Sequence, residues 1–299
     1  MDLFNESEDI IIFTYNGVNL DLEEYLITEN VSGRLFRKLY KDKSIYVNGK
    51  FQRKNLRLQK GDTITLHMEA EHESINPEEM KLDIVYEDYD LLILNKAPNI
   101  VVHPTKSHQS NTLSNGIAYY FKENNINKKI RFVNRLDMDT TGLLIVAKNP
   151  FSHQQMALQF ENNTIGKKYL AIVKGVIKDD NGVIDLPIGR EEEKSIKKMV
   201  IETGQNAKTS YKVLERYKDA TLVEVQIFTG RSHQIRVHLE HLGHPIIGDS
   251  LYSESSPYID RQALHSYYLR AKHPRTKKDL EFIANMPADM VKLINLLKD

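Results

Sequence analysis

The chain has 299 residues and a mass of 34.6 kDa, enough for one large domain or two ordinary ones. Its composition, 40% apolar and 27% charged, is that of a globular protein with a buried core, and the lack of cysteine excludes disulfides, thiolate zinc sites and a cysteine nucleophile. Equal numbers of basic and acidic residues, 41 of each, give a formal net charge of zero, which taken alone argues against a polyanionic partner.

The first 70 residues are predicted to form a compact N-terminal module. Asp21, with Glu24 three positions later, is typical of a capping box at the start of a short helix. Ser32 is a favourable N-cap for a second helix, which has leucines at i and i+4 on one face. Further along, Asn48-Gly49 is the strongest short signal for a β-hairpin. We therefore expect two short helices and a small sheet.

The charge is unevenly distributed along the chain. Residues 1–30 carry eight acids and no Lys or Arg, residues 61–94 carry ten acids and one lysine, and residues 31–60 carry ten basic residues and one acid. Most runs of charged residues only form a solvated surface, but the strong excess of basic residues in residues 31–60 is typical of nucleic-acid binding. Aromatic residues are sparse there, which favours backbone recognition of folded RNA over stacking on single strands. The expected RNA contacts are Arg34, Arg37, Lys38, Lys41, Lys50, Arg53 and Lys54.

A larger domain is expected to follow the module. The sequence divides into a module of residues 1–70, an acidic linker of residues 71–81 and a domain of residues 82–299. In that domain, short strands and a few helices do not alternate strictly, which favours an α+β fold with a mixed, largely antiparallel sheet flanked by helices. The predicted helices cover residues 112–122, 150–160 and 233–242, with a last one after Pro287. The predicted strands cover residues 84–87, 91–95, 142–147, 169–174, 210–214, 222–228 and 280–283.

The segment Asn134–Gly142, just before an apolar strand, is the first candidate site. It combines two acids, an arginine and a glycine in one turn, and loops held by rigid strands often carry binding or catalytic residues. The alternative is a purely structural Asp/Thr-rich turn. A calcium loop starting at Asp137 fails, because its twelfth position is Lys148 instead of a glutamate. The Asp-x-Asp-x-Thr motif of haloacid-dehalogenase-type phosphatases is a weak alternative, because Asp137 does not end an apolar strand.

The segment Thr229–His238, followed by His241 and His244, is the second candidate site. Four histidines within twelve residues invite a metal-binding interpretation. Helical spacing points them in different directions, and no His-Glu-x-x-His arrangement is present, so we predict no metal. Arg231, Arg236 and the start of the helix are better suited to contact a phosphate or the edge of a uracil.

Eight ordered segments of the larger domain together carry a resemblance to a known family. They are Asp83–Asp88, Leu92–Lys96, Val101–Pro104, Arg135–Leu144, Lys168–Ala171, Leu186–Arg190, Thr229–His238 and Gly243–Asp249. In this order they resemble the RluA-type pseudouridine synthase family, whose members modify ribosomal and transfer RNA. Residues 20–68 are similar to an S4-type RNA-binding domain, as in the RluD-like members in which such a domain precedes the catalytic one.

The resemblance implies a role for individual residues. It implies that Asp137 is the catalytic aspartate, that Tyr169 stacks on the target uracil, and that Arg231 pairs with the catalytic carboxylate. Arg135 is similar to the residue that helps to hold the flipped nucleotide. The family usually has histidine at the position of Asn134, and asparagine keeps a hydrogen-bonding tip but cannot carry charge. The substrate contacts expected from these two motifs are Arg135, Thr141, His233, Gln234 and Arg236.

The chemistry that this family performs needs little besides one carboxylate. Converting uridine to pseudouridine cuts the N1–C1′ bond and joins C5 to C1′, without electrons or external atoms, so we expect no cofactor and no metal. The carboxylate acts as nucleophile on the sugar or as base at C2′, and the sequence leaves both open. Flipping the target base out of its stack costs a few kcal/mol, which contacts between the protein and the RNA must offset.

The expected partner is RNA. Large-subunit ribosomal RNA is favoured because S4-bearing members of the family mostly act on it, with transfer RNA as the alternative. The non-enzymatic alternative is an S4-domain, ribosome-associated factor without catalysis. The acidic N-terminus lacks the features of a signal peptide and no apolar run approaches bilayer length, so we expect a cytoplasmic monomer with no membrane contact.

Overall fold

A computed structural model describes residues 6–52, 55–105, 108–192 and 195–298. In its N-terminal part, four strands form one sheet in the order β1-β4-β2-β3, and every pair is antiparallel. Two helices lie between the first two strands in sequence. The elements are β1 (Ile10–Thr14), α1 (Leu22–Thr28), α2 (Gly33–Lys41), β2 (Ile45–Val47), β3 (Lys50–Phe51) and β4 (Thr63–His67).

The local signals in this module are confirmed. The Glu24 carboxylate accepts a hydrogen bond from the Asp21 amide at 3.0 Å, which completes the capping box of α1. Ser32 Oγ accepts from the Leu35 amide at 3.2 Å and caps α2. Asn48 and Gly49 both have positive φ, 51° and 73°, as a two-residue turn between β2 and β3 requires.

The N-terminal module is docked on the rest of the molecule through an apolar and a polar contact. Phe151, from the larger domain, is fully buried in the core of the module and meets Phe13 edge to face, with ring centroids 5.8 Å apart. The Arg275 guanidinium donates to the backbone carbonyls of Ser7 and Ile10 at 3.1 and 2.9 Å. These contacts fix the position of the module relative to the larger domain.

The larger domain is built on one ten-stranded sheet with helices packed around it. In the described part of the chain, no helix is both long and apolar enough to cross a bilayer. The elements are β5 (Ile84–Glu87), β6 (Leu91–Lys96), α3 (Leu113–Glu123), β7 (Arg131–Phe132), β8 (Thr141–Ala147), α4 (Pro150–Glu161), β9 (Gly166–Lys174), β10 (Asn181–Asp185), β11 (Ile188–Gly189), β12 (Met199–Val200), β13 (Lys208–Arg216), β14 (Ala220–Ile227), α5 (Gln234–His241), β15 (Leu264–Lys272), β16 (Asp279–Ile283) and α6 (Ala288–Lys298).

The ten-stranded sheet is mixed and mostly antiparallel, as the sequence predicts. Its main order is β10-β13-β14-β9-β15-β8-β6-β5, while β16 pairs with β15 and β7 pairs with β8. Among the described strands, only β15 and β8 run parallel, joined through Thr141 opposite His265 and Gly142 opposite Ser266. A Cβ on Gly142 would lie 2.2 Å from the Ser266 carbonyl oxygen, so this close approach requires glycine.

The predicted strands and helices are found within a few residues of their expected ends, but the sequence did not reveal β15 or the shorter β7, β10, β11 and β12. The most important of these is β15. This strand lies at the centre of the sheet, between β9 and β8. It carries buried polar residues, His265 and Ser266, and its register with β9 shifts between Ser266 and Tyr268. These features disrupt the alternation that marks a strand in a sequence.

The acidic segment between β4 and β5 has no helix or strand, but it is more than a solvated connection. The Glu71 carboxylate accepts two hydrogen bonds from Arg131, at 2.6 and 2.7 Å. Glu73 accepts from the Ile130 amide at 2.8 Å, and the Asn76 carbonyl accepts from the Asn115 side chain at 2.8 Å. These hydrogen bonds therefore hold the segment against the surface of the larger domain.

Candidate active site

A cavity of about 290 Å³ opens where β9, the loop before β8 and the start of α5 meet. Asp137 and Arg236, 99 positions apart in the sequence, are brought together in it. The two candidate segments therefore form a single site, in which the end of β14 and the end of α4 complete the wall. The predicted site residues that line the cavity are Arg135, Asp137, Tyr169, Arg231, His233, Gln234 and Arg236.

The loop before β8 holds Asp137 in place through its neighbours. Asn134 Oδ1 accepts from the Ile145 amide at 2.8 Å, and its amide nitrogen donates to the Leu143 carbonyl at 3.4 Å. The Thr140 amide donates to the Asp137 carbonyl at 3.1 Å, which closes the turn. The Asp137 side chain remains 30% exposed, facing the cavity. Asn134 thus ties the loop to β8 by neutral hydrogen bonds, which do not require the charge that a histidine could carry.

Arg236 is the residue that contacts the carboxylate of Asp137. Its Nη1 donates to Asp137 Oδ2 at 2.9 Å, while Nε and Nη2 make a bidentate pair with Asp249 at 2.7 and 2.8 Å. The guanidinium also lies over the ring of Tyr252, 5.0 Å from its centroid. Burial opposes the charge, but the bonds to Asp249 and Asp137 raise the pKa of Arg236 above its usual range. Asp249, which is fully buried, therefore fixes the arginine that faces Asp137.

The predicted pairing of Arg231 with Asp137 is wrong. Arg231 precedes α5 and is exposed at the rim of the cavity, where its Nε donates to the Asn206 carbonyl at 3.0 Å. Arg236, by contrast, is buried within α5, where the residues from Gln234 to Leu239 are all buried. The useful signal was its position between Ile235 and Val237 inside a predicted helix. An arginine that is buried there needs an acidic partner.

Tyr169 presents a neutral phenol to the cavity. It lies on β9, is 5% exposed and contributes to the same wall as Asp137. Burial raises the pKa of Tyr169 to about 12, and the negative charge of Asp137 acts in the same direction. The ring can therefore present a flat face or an O–H donor at neutral pH, but not a phenolate.

His233 and Gln234 shape the start of α5. His233 is in the left-handed conformation with φ of 58°, and its Nδ1 lies 3.0 Å from the Tyr252 hydroxyl. Burial lowers the pKa of His233, so the neutral ring is favoured. The Gln234 side chain accepts from the Arg231 amide at 3.0 Å and donates to Thr209 Oγ1 at 3.0 Å. Although both residues line the cavity, Gln234 is engaged in holding its own turn.

Thr141, predicted to bind substrate, does not line the cavity, whereas its neighbour Thr140 does. Thr141 is buried, and its hydroxyl lies 2.8 Å from His265 Nδ1, across the parallel joint between β8 and β15. Its contacts are therefore those of a residue that joins two strands. A strand residue next to a site loop faces one side of the sheet or the other, and the sequence alone did not show which side.

The histidines of the second motif do not converge on one point. His238 Nδ1 lies 2.8 Å from Thr209 Oγ1, and His244 Nδ1 lies 2.9 Å from the Lys174 carbonyl. Asp139, the second acid of the Asp-x-Asp-x-Thr pattern, does not line the cavity. The cavity thus contains one carboxylate from the loop before β8, which disfavours the two-aspartate phosphatase interpretation.

Besides Arg231, two cavity residues carry positive charge without being part of the Asp137 ion pair. Arg135 is exposed at the mouth. Lys167, which was not among the predicted site residues, lies deeper and is 8% exposed. Charge patterning could not find Lys167, because the adjacent Lys168 has the same charge and only the face of the strand distinguishes them.

The fold and the site together are those of an enzyme. Its cavity contains one carboxylate, which is bound by a buried arginine and lies near a neutral tyrosine, and positively charged residues lie at its mouth. The pattern of the RNA pseudouridylate synthase family matches residues 90–241, which is about half of the chain. The chain belongs to this family, in its RluA/RluD-type branch, and is an RNA pseudouridine synthase, an isomerase.

Several known proteins are similar over most of the chain. An uncharacterized RNA pseudouridine synthase of Bacillus subtilis, YlyB, is 43% identical over 86% of this chain and 87% of its own length. The ribosomal large subunit pseudouridine synthase D of Pseudomonas aeruginosa is 34% identical over 96% of this chain and 94% of its own. Among solved structures, human RNA pseudouridylate synthase domain containing 1 superposes with a TM-score of 0.59 at 28% identity, covering 73% of this chain and 95% of that one.

Proposed function

We propose that Asp137 is the catalytic carboxylate and that it acts on a uridine flipped into the cavity. The observation that carries the proposal is the ion pair between Asp137 and Arg236, in a cavity that Tyr169 also lines. Arg236 is itself fixed by Asp249, so the carboxylate is held in one orientation without being shielded from a substrate. We assign no metal and no cofactor to this site.

The residues divide the reaction as follows. The ionised Asp137 attacks C1′ or removes the proton at C2′, while the N1–C1′ bond breaks and leaves its electron pair on the base. The base turns and C5 bonds to C1′, while the Asp137–C1′ bond breaks or, on the C2′ route, the proton returns from Asp137 to C2′. The proton lost from C5 is matched by the one gained at N1, so that atoms and charge balance and the carboxylate is regenerated. Arg236 holds the carboxylate throughout. The flat neutral ring of Tyr169 supports the base as it turns.

The N-terminal module serves, in this proposal, as an S4-like RNA-binding domain. The four basic residues of α2, Arg34, Arg37, Lys38 and Lys41, are exposed at positions that share one face of the helix. Lys50, on the hairpin, is exposed too. Arg53 and Lys54, also expected to contact RNA, lie outside the described residues. The docked position of the module would hold this basic face at a fixed distance from the cavity.

The proposed substrate is large-subunit ribosomal RNA. The name of the Pseudomonas aeruginosa relative, which aligns with nearly the whole of this chain, supports that choice. A monomer acting in the cytoplasm, where ribosomes assemble, fits the proposal. Pseudouridine maps of RNA from cells with and without the protein test it. Loss of one or more pseudouridines in large-subunit RNA is expected, and loss confined to transfer RNA would reject this substrate.

Replacing the carboxylate tests the catalytic proposal. Asp137→Asn removes the charge at nearly constant size, so tritium release from 5-tritiated uridine RNA should fall by at least about a thousandfold, as for a group that forms bonds in the reaction. RNA binding in a filter assay should persist. The matched control is Asp139→Asn, the same change two residues away and outside the cavity. Turnover by Asp137→Asn comparable with that control would reject the proposal.

A further inference from the structure

Lys167 occupies an unusual position beside the proposed uridine site. It lies on β9 two residues before Tyr169, so both side chains point to the same face of the strand and line the same cavity. Two residues along a strand separate their Cα atoms by about 6.6 Å, on the scale of a single nucleotide. The adjacent Lys168 points to the other face and makes an ion pair with Glu224 at 3.0 Å.

Among the described residues, the ammonium group of Lys167 has no hydrogen-bond or ion-pair partner, unlike those of the comparably buried lysines. Lys96 donates to three backbone carbonyls, and Lys128 and Lys148 each bind carboxylates. In the part of the chain that the structure describes, the contact recorded for Lys167 Nζ is the ring of Phe160, 4.4 Å from its centroid. Burial lowers the pKa of Lys167 to about 8, and no neighbouring acid opposes that shift.

A buried cation without a counter-charge is unfavourable unless an anion arrives to pair with it. The anionic group of RNA is its backbone phosphate, and a nucleotide that enters the cavity brings its flanking phosphates with it. Lysine binds phosphate as a compact point charge. A uracil carbonyl could accept a hydrogen bond, but it would leave the charge uncompensated.

We propose that Lys167 binds a backbone phosphate of the nucleotide that enters the cavity, and so holds the flipped uridine beside Asp137. The proposal rests on the proposed function, which places that uridine in the cavity. Lys167 is in this view a binding residue that takes no part in bond making or breaking. Its removal should therefore weaken substrate binding and leave the chemical step nearly unchanged.

The first experiment compares three variants by steady-state tritium release. The substrate is 5-tritiated RNA extracted from cells that lack the protein, which contains the unmodified target whatever its class. Lys167→Met should raise KM about 10- to 100-fold, the usual effect of losing a charge-assisted hydrogen bond, and change kcat less than threefold. The matched control Lys168→Met, the same charge change on the opposite face, should raise KM less than threefold. Lys167→Arg should restore most of the loss.

Stability and salt dependence separate this role from a structural one. Replacing an unpaired buried charge with methionine should leave Tm unchanged or higher, since the lost contact is with one ring. The slope of log KM against log salt should fall by about 0.7, the value for one phosphate contact on a single strand. A lower Tm with a KM equal to that of Lys168→Met would mean that Lys167 only supports Phe160, and would overturn the proposal.

A second experiment identifies the group on the RNA. Short stem-loops containing the mapped uridine carry one neutral methylphosphonate on its 5′ or its 3′ side, with 2′-O-methyl sugars protecting the linkage. At one of the two positions the neutral linkage should weaken binding to the wild type and have no further effect on Lys167→Met. Additive losses at both positions would point to a uracil contact and overturn the proposal. Because Asp137→Asn is tested by turnover and Lys167 by affinity, either idea can fail without the other.

Discussion

The two sets of positive charges in this enzyme differ in how they are held. On α2 of the N-terminal module, Arg34, Arg37 and Lys41 are exposed to solvent. In the cavity, Arg236 is buried and bound by Asp249 and Asp137. Exposed charges are screened by salt and attract a polyanion from a distance, whereas buried and paired charges have one geometry and orient a reacting group. The first set is suited to affinity and the second to position.

Replacing Arg236, the buried and paired cation, should have the largest effect on stability and activity. Arg236→Met leaves Asp249 buried without its partner, so the free energy of unfolding should fall by about 3–5 kcal/mol. Tritium release should fall below detection, because the Asp137 carboxylate loses the group that orients it. Activity is measured at a low temperature at which circular dichroism shows the variant folded. Guanidinium-chloride unfolding measures the stability.

The companion variant is Arg231→Met, at the position that the sequence favoured for the same role. Arg231 is exposed at the rim, so its loss should change stability by no more than about 0.5 kcal/mol. Turnover should fall at most about tenfold, because the lost contact is one charge at the mouth of the cavity. If Arg231→Met were the inactive variant and Arg236→Met the active one, the assignment from the structure would be wrong.

The two arginines show which parts of the site could be predicted from the sequence. The loop of Asp137 and the motif around Arg236 were both recognised, as were the caps of α1 and α2, since each depends on neighbouring residues. Which arginine meets the carboxylate depends on how α5 and the turn before it pack, because Arg236 lies in the buried part of α5 and Arg231 precedes the helix; this is a property of the tertiary fold. The same holds for Thr141, which faces β15, and for Lys167, whose isolation exists only in the folded molecule.

The same distinction between signals from neighbouring residues and properties of the tertiary fold applies to the prediction of the helices and strands. Helices with clear caps and strands with regular alternation were located to within a few residues. The central strand β15 was missed because its buried polar residues have partners that are distant in the sequence: His265 meets Thr141 on β8 and the Ala284 carbonyl. A polar residue looks exposed in a sequence unless its partner is known. The sequence therefore did not show the parallel pairing of β15 with β8, on which the positions of Gly142 and the site loop depend.

The pH dependence of substrate binding should sharpen the comparison within the cavity. Because burial lowers the pKa of Lys167 to about 8, its charge is present below that pH and is lost as the pH rises through it. KM should therefore rise up to about tenfold between pH 7.5 and 9, and Lys167→Met should lack this rise. Initial rates of tritium release at several RNA concentrations measure it.

The other groups around the cavity do not change charge in this range. Carboxylates and guanidinium groups stay ionised between pH 7.5 and 9. Burial raises the pKa of Tyr169 to about 12, and it lowers the pKa of His233, so neither ring titrates there. Titration of the RNA bases affects wild type and variant alike and is removed by taking their ratio. A parallel rise of KM in Lys167→Met would assign the effect to the RNA.

The smallest effect is expected at the exposed set. Arg37→Gln on α2 should raise KM about threefold at physiological salt, because one phosphate contact changes affinity by that order. Both kcat and the free energy of unfolding should be unchanged, since the side chain is exposed. Lys292→Gln, the same charge change on an exposed position of α6, is the control and should leave KM unaltered.

Combining Arg34→Gln, Arg37→Gln and Lys41→Gln should multiply the losses and lower the salt slope by about two to three. Equal losses in the α2 variants and in Lys292→Gln would mean that the module contributes only net charge. A loss of kcat would mean that the exposed set also positions the substrate, and the division between affinity and position would then fail.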